Sequence, residues 1–360
     1  MSEAMIRKTV LTGLPSESFM HPFDVSARKK LEKTPGVAKL AEWINTVYER
    51  SAILQLQGNA IRVSNKQYPD LYKRYVNLSE RMDLNQLPEL FIERGHGTFN
   101  AYAMGVNRYV IAVTDRLVEG MTSEELDVVL AHELGHVKCD HMKWNTAAMA
   151  LKTVGEAIGD AIPFGIGTAV ITGAELAILH WSRMAEFSAD RAALLATQDS
   201  DNVLSALGKF AGPDLSEDCP ISTDALIEQA EGWHEAVEKG ALAKLITLRM
   251  LLTDTHPLPV VRVKELSEWS GSDHYNNILE GNYENPDATK TPEIEKVQGR
   301  VFCCSKCSSH NLTEAKFCGS CGNSMKDCNH SCGLCNTIIE IEWKICPGCG
   351  EQLLSIQQSS

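Results

Sequence analysis

The chain has 360 residues, 44% of them hydrophobic, which is enough for a catalytic domain of ordinary size with smaller attachments. Its net charge of -13 and pI near 5.4 argue against nucleic acid and anionic membranes as partners, because both attract clustered Lys and Arg. Residues 1–20 lack the apolar run and small-residue cleavage site of a secretory signal, which predicts a cytoplasmic location.

The predicted elements begin with helices. Residues 1–80 contain amphipathic stretches and predict a helical N-terminal region packed on the core. From Pro88 onward, the segments LPELFIERG, NAYAMG and NRYVIAVTDRLV combine β-branched and aromatic residues with turn residues, which predicts a small antiparallel sheet. Helical periodicity returns at Thr122 and continues to about Leu252. We therefore expect an α+β fold that is mainly helical, with residues 81–269 as its main domain.

The segment TSEELDVVLAHELGHVKCDH predicts a helix that carries a metal site. Thr122 and Glu125 have the spacing of a capping box at its start. His132 and His136 lie four residues apart, so both project from one side of the helix and can bind one zinc ion. Glu133 lies beside that ion and is the candidate general base, because zinc lowers the pKa of its bound water towards about 7.

Residues 161–181, AIPFGIGTAVITGAELAILHW, are nearly apolar throughout and approach the length of a membrane span. Glu175 and several glycines interrupt the run, which favours a buried or surface-docked helical hairpin. Membrane association through this segment, by insertion or by peripheral contact, is the alternative.

A catalytic zinc ion needs a third protein ligand. His141 is nearest in sequence, but its spacing from His136 does not fit the pattern His-x-x-Gly-x-x-His. The segment SRMAEFSADRAALLA offers Glu186 on a helical stretch further along the chain. We expect Glu186 to be the third ligand.

Asp190 lies four residues after Glu186, on the same face of the predicted helix. Two carboxylates at this spacing repel each other, so they require cationic partners. A zinc ion and the ring N–H of a zinc-bound histidine would meet that need, which predicts that Asp190 orients His132. In the alternative interpretation, Arg183 and Arg191 pair with the two carboxylates as surface salt bridges.

The C-terminal part contains a repeated cysteine pattern. Residues 270–298 are polar and rich in Asn, Asp, Glu and Pro, which predicts an extended linker. Residues 299–353 contain Cys-x2-Cys-x10-Cys-x2-Cys twice, the arrangement of two closed structural zinc sites in small ribbons. The predicted ligands are Cys304, Cys307, Cys318 and Cys321 in the first module and Cys332, Cys335, Cys346 and Cys349 in the second.

Three segments together resemble the zinc metallopeptidases of peptidase family M48, the HtpX-like and CAAX prenyl protease-like gluzincins: VLAHELGHVKCDH, SRMAEFSADRAAL and THPLPVVRVKEL. The resemblance covers roughly Leu87 to Leu266 and implies a zincin-like metallopeptidase fold. Glu186 and Asp190 match the family's Glu-x-x-x-Asp motif, which supports their assignment. Many relatives carry membrane helices where this chain has residues 161–181.

The same resemblance suggests how a substrate binds. NAYAMG resembles the family's edge strand, along which a peptide lies as an added strand, so Asn100, Ala101 and Tyr102 would line the cleft. His256 matches a His-Pro element and would donate to the oxyanion of the tetrahedral intermediate. A plain structural turn, with Pro257 and Pro259 ending the preceding helix, explains this segment equally well.

The leading hypothesis is a zinc metalloendopeptidase that cleaves protein or peptide substrates, with one catalytic and two structural zinc ions. The C-terminal tail, residues 299–360, has as many acidic as basic residues. It is therefore expected to bind a protein partner rather than nucleic acid. The alternative is a non-catalytic zinc-binding scaffold that acts through the ribbons.

Overall fold

The computed structural model describes residues 8–34, 37–150, 168–212, 220–240, 258–283, 300–303, 310–311, 329–332, 339 and 346. It divides into two compact units, Met1–Glu284 and Asn285–Ser360. Most of the described chain belongs to the first unit, and helices dominate it.

The N-terminal region contributes three helices to the first unit: α1 (Pro22–Lys33), α2 (Val37–Asn59) and α3 (Pro69–Arg81). Helix α1 starts at Pro22, which fits the first helical position because proline has no N–H to leave unpaired there. The side chain of His21 accepts a hydrogen bond from the N–H of Phe23 and caps the helix. Leu11 and Phe19, which precede α1, are buried in the main hydrophobic core.

A four-stranded sheet follows, made of β1 (Ile61–Arg62), β2 (Glu89–Glu93), β3 (Ala101–Met104) and β4 (Val110–Thr114). Its strand order is β1-β2-β4-β3, and β4 is buried along its whole length. The predicted small sheet is present, but it is mixed rather than antiparallel, since β2 and β4 pair in parallel. After β2 the chain forms β3 at the edge of the sheet. Strand β4 then pairs between β2 and β3.

Helix α4 (Asp115–Gly120) leads into α5 (Ser123–Lys138), which carries the HELGH segment. The predicted capping box at the start of α5 is confirmed: the Thr122 hydroxyl accepts from the N–H of Glu125, and the Glu125 carboxylate accepts from the N–H of Thr122. The later helices are α6 (described over residues 142–150), α7 (Thr168–Thr197), α8 (Ser200–Ala211), α9 (Thr223–Lys239), α10 (Pro259–Ser270) and α11 (Asp273–Leu279).

Helix α7 contains most of the apolar segment that predicts a hairpin or a membrane contact. Residues 161–167 lie outside the described residues, and residues 168–181 form the first half of this single 30-residue helix. Trp181 is fully buried against the rest of the unit. Among the described residues, no helix combines the length and apolar character needed to cross a membrane.

The predicted linker, residues 270–298, begins with structure. Helix α11 lies inside it, and Ser272 caps that helix by accepting from the N–H of Tyr275. Tyr275 and Ile278 stand three residues apart on one face and are buried in the main core. These two side chains explain why a polar segment packs here instead of extending.

The second unit contains a three-stranded antiparallel sheet with the order β6-β5-β7. Its strands are β5 (Arg300–Cys303), β6 (His310–Asn311) and β7 (Asn329–Cys332). Of the predicted zinc ligands, Cys332 ends β7 and Cys346 is buried. The other six lie outside the described residues: Cys304, Cys307, Cys318, Cys321, Cys335 and Cys349.

Candidate active site and metal centre

Three predicted ligands converge in the first unit. His132 and His136 on α5 and Glu186 on α7 place one ligand atom each within 4.8 Å of one another. The Nε2 atoms of both histidines lie 3.5 Å from oxygens of the Glu186 carboxylate. Ligand atoms held by one tetrahedral zinc ion at about 2.0–2.1 Å lie roughly 3.3 Å apart, so the spacing and the donor types fit zinc.

Close packing of α5 against α7 brings these ligands together. Gly135 lies at the crossing, where a Cβ atom would come within 2.6 Å of the Ala192 side chain and 3.2 Å of the Ala189 backbone. Only glycine allows this approach. Because Gly135 adjoins His136, the contact also sets how near that histidine lies to Glu186.

Asp190 contacts His132, the ligand that the sequence predicts it to orient. The Nδ1 atom of His132 lies 3.0 Å from Oδ1 of Asp190, which leaves Nε2 facing Glu186. Burial lowers the pKa of His132, but its contacts with Asp190 and Glu186 outweigh that effect and raise the pKa to about 10. These two carboxylates therefore favour positive charge at this position, which a bound metal ion would supply.

Arg262 of α10, which sequence reasoning missed, is a cation that pairs with both carboxylates. Its guanidinium donates to both oxygens of Asp190, at 2.8 and 2.6 Å, and lies 3.4 Å from Glu186. This pairing outweighs burial and raises the pKa of Arg262. Arg191, which the alternative interpretation pairs with one of these carboxylates, instead donates to the carbonyl of Phe19, so that interpretation is wrong for Arg191. Arg262 stands within THPLPVVRVKEL, the signal that could have identified it.

His136 is oriented through His141, the residue that the sequence set aside as a ligand. The Nδ1 atoms of the two rings lie 3.0 Å apart, on the side of His136 away from Glu186. The Nε2 atom of His141 lies 3.0 Å from Oδ2 of Asp24 in α1. His141 therefore stands behind a ligand and does not join the metal-binding group.

Glu133 and two of the metal ligands, His132 and Glu186, face a cavity of about 350 Å3. One side of it is polar, with His132, Glu186 and Arg262. The rest is mainly apolar, and Phe99 and Phe210 meet there edge to face with ring centroids 5.4 Å apart. The apolar lining comes from Phe99, Val128, Val129, Val203, Ala206, Leu207, Phe210 and Leu258.

The edge strand β3 borders the same cavity. Asn100 and Ala101 line it, in agreement with their predicted place at the cleft. Tyr102 does not, because its hydroxyl donates to Glu93 and its ring packs against a separate core cluster. His256, the predicted oxyanion donor, lies outside the described residues.

Two histidines four residues apart on one helix, a glutamate between them that lines the cleft, and a glutamate ligand from a second helix define a gluzincin-type zinc metallopeptidase. Comparison with known proteins places the chain more narrowly. Residues 65–270, more than half of the chain, match the model of Peptidase family M48, and residues 304–350 match the Double zinc ribbon. The chain belongs to peptidase family M48 and carries a C-terminal double zinc ribbon.

Several curated proteins are similar to the chain. The plastoglobule-localized metallopeptidase 48 of Arabidopsis thaliana, a chloroplastic protein, is 35% identical over 269 residues, which are 74% of this chain and 76% of that protein. Protease HtpX homolog 2 of Methanosarcina mazei is 33% identical over 186 residues, which are 46% of this chain and 62% of the relative. No solved structure matches the chain significantly.

Proposed function

We propose that the protein is a zinc-dependent metalloendopeptidase in which Glu133 is the general base. The observation that carries this proposal is the common cavity: Glu133, the metal ligands His132 and Glu186, and the edge strand β3 all border it, and the third ligand, His136, lies behind them. The zinc ion, when bound, supplies a Lewis acid that polarises the scissile carbonyl and acidifies water. The Glu133 carboxylate takes the proton of the attacking water and passes it to the leaving amine.

The remaining charged residues hold this arrangement in place. Asp190 fixes His132, and Arg262 fixes Asp190 with two hydrogen bonds. Arg262 also offsets part of the negative charge of Glu133 and Glu186, whose carboxylates raise its pKa. We keep His256 as the proposed donor to the oxyanion, on the resemblance of its His-Pro element alone.

The substrate we propose is an extended peptide segment of a protein. An edge strand binds such a segment through main-chain hydrogen bonds, which gives loose sequence specificity. The apolar part of the cavity adds one preference: it fits an apolar side chain adjacent to the scissile bond, close to Phe99 and Phe210. Unfolded proteins expose such segments, which supports them as the substrate class.

The tail is proposed to recruit substrates or a protein partner through its two zinc ribbons, with one structural zinc ion each. Its balanced charge supports protein rather than nucleic acid as the partner. Its CxxC pairs suit a reducing compartment, which supports a cytoplasmic location.

The decisive experiment combines zinc counting with cleavage of casein by the full-length protein. We expect three zinc ions in the wild type and two in His132→Ala. Glu133→Gln should keep all three and lose about 100- to 10,000-fold in cleavage rate, the usual contribution of a positioned acid–base group. Mapping the cleavage sites should reveal an apolar residue at one fixed position beside the cut bond.

The matched control is Glu124→Gln, an exposed glutamate on the same helix, which should cleave at the wild-type rate. Equal cleavage by the wild type and Glu133→Gln would reject Glu133 as the base. A wild type that holds zinc at His132 and cleaves nothing would favour the scaffold alternative.

A further inference from the structure

A buried chain of hydrogen bonds runs from His136 to the N-terminal helix. His141 lies 3.0 Å from His136 on one side and 3.0 Å from Asp24 on the other. His141 and Asp24 are both fully shielded from solvent. Because water does not reach His141 or Asp24, each N–H group between them must donate to a protein atom.

The surroundings of Asp24 determine where these protons lie. Its Oδ1 atom accepts from the indole N–H of Trp181 at 3.0 Å, and its Oδ2 atom accepts from the hydroxyl of Ser188 at 2.6 Å. An ionised carboxylate only accepts hydrogen bonds, so His141 must donate its Nε2–H to Oδ2. A neutral imidazole has one N–H, and Nδ1 of His141 is then an acceptor.

That acceptor fixes the tautomer of His136. The Nδ1–H of His136 donates to Nδ1 of His141, and the lone pair of His136 is left on Nε2. Nε2 is the atom that faces Glu186 in the metal centre. The reverse arrangement, with His141 donating to His136, would protonate Nε2 and prevent it from binding a metal ion.

We propose that His141 and Asp24 are positioning residues that hold His136 in its metal-binding tautomer and orientation. This proposal rests on the metal site of the proposed function. His132 is oriented directly by the carboxylate of Asp190, whereas His136 is oriented by Asp24 through a second histidine. Residues of this kind influence metal affinity strongly although they never touch the ion.

The relay makes helix α1 part of the metal centre. Asp24 lies before residue 65, where the match to the family model begins. Both side chains that share Asp24 with His141, Trp181 and Ser188, stand on α7, the helix that supplies Glu186. The Ser188 hydroxyl also accepts from the N–H of His21 at the start of α1. The N-terminal region therefore aligns a ligand and a ligand-bearing helix at the same time.

The test measures the zinc affinity of the full-length protein by competition with a chromophoric chelator. The affinity compared is that of the site that is lost in His132→Ala. His141→Phe, which fills the space without hydrogen bonds, should weaken that site by about 10- to 100-fold. His141→Gln should restore most of the affinity, because its amide can donate to Asp24 and accept from His136. Excess zinc should restore the cleavage rate of His141→Phe, as expected of a positioning role.

Affinity of His141→Phe close to that of the wild type would overturn the proposal, and so would His141→Gln binding as weakly as His141→Phe. If His141→Phe does not fold, Asp24→Asn replaces it, with Ser188→Ala as its control. Asp24→Asn replaces the buried carboxylate itself and Ser188→Ala removes one of its other partners, but only Asp24→Asn should weaken zinc binding by about 10-fold or more. Equal affinities of these two variants would also overturn the relay. A wild type without cleavage would reject the proposed function yet leave the zinc comparison valid.

Discussion

The two ligand histidines stand four residues apart on one helix, and their surroundings differ. The open side, at His132, borders the cavity and is held by the charged pair of Asp190 and Arg262. The closed side, at His136, lies against α7 and is held by a relay through His141. A cleft must keep room for substrate, so few groups are available there and strong ionic bonds hold the ligand. On the closed side the core is packed, and the hydrogen bonds from His136 through His141 to Asp24 hold the ligand.

The largest effect is expected on the open side, for Arg262→Met. The substitution removes the guanidinium that pairs with the buried carboxylates of Asp190 and Glu186. Because buried charges that lose a partner are costly, we expect the free energy of unfolding of the metal-free protein to fall by about 3–5 kcal/mol. Zinc should reduce this loss, because the ion supplies positive charge to the same carboxylates. Denaturant unfolding with and without zinc measures both quantities.

Arg74→Met is the control for that comparison. Arg74 also pairs with an aspartate, Asp127 on α5, but the pair is partly exposed, so its loss should cost less than about 1 kcal/mol. An equally small cost for Arg262→Met would mean that charge does not hold the open side.

The closed side is tested by Gly135→Ala. The new Cβ would collide with Ala192 and with the backbone at Ala189, and α5 and α7 would have to separate. We expect a loss of about 1–3 kcal/mol in unfolding free energy, together with weaker zinc binding, because the distance from His136 to Glu186 would increase. Gly232→Ala in α9 is the control: its Cβ meets open space, so it should stabilise by up to about 1 kcal/mol. Stabilisation by both substitutions would contradict the close helix crossing.

The smallest effect concerns Glu125, which ties α8, a wall of the open side, to α5. Its carboxylate caps α5, accepts from Ser205 and pairs with Lys209. Burial raises the pKa of Glu125, but these contacts outweigh it and hold the pKa below 4.5. The carboxylate thus stabilises the fold above pH 4.5, and the contribution is lost as pH falls through its lowered pKa.

We therefore expect Glu125→Gln to lose about 1 kcal/mol at neutral pH and to differ less from the wild type in acid. Chemical denaturation between neutral pH and pH 3 measures the difference. Glu124→Gln, at the exposed neighbouring position, should stay within about 0.5 kcal/mol of the wild type. A difference that grows in acid would show that the charge of Glu125 does not stabilise the fold.

Local spacing made much of the catalytic centre predictable. The separation of His132 and His136 matches one helical turn, as does that of Glu186 and Asp190, so each pair had to share a helical face. The capping box likewise depends on residues three apart. The parallel pairing of β2 and β4 was not predictable in this way, because strand direction follows from how the chain returns to the sheet.

The sequence alone determined the ligand types, the candidate base, the zinc-ribbon pattern and the predominance of helices, because each depends on residues close together in the chain. Only the tertiary structure decided which groups orient the ligands. Arg262 is 72 residues from Asp190, and Asp24 is 117 residues from His141. No local periodicity links residues so far apart, and only the packing of α1, α5 and α10 against α7 brings them together.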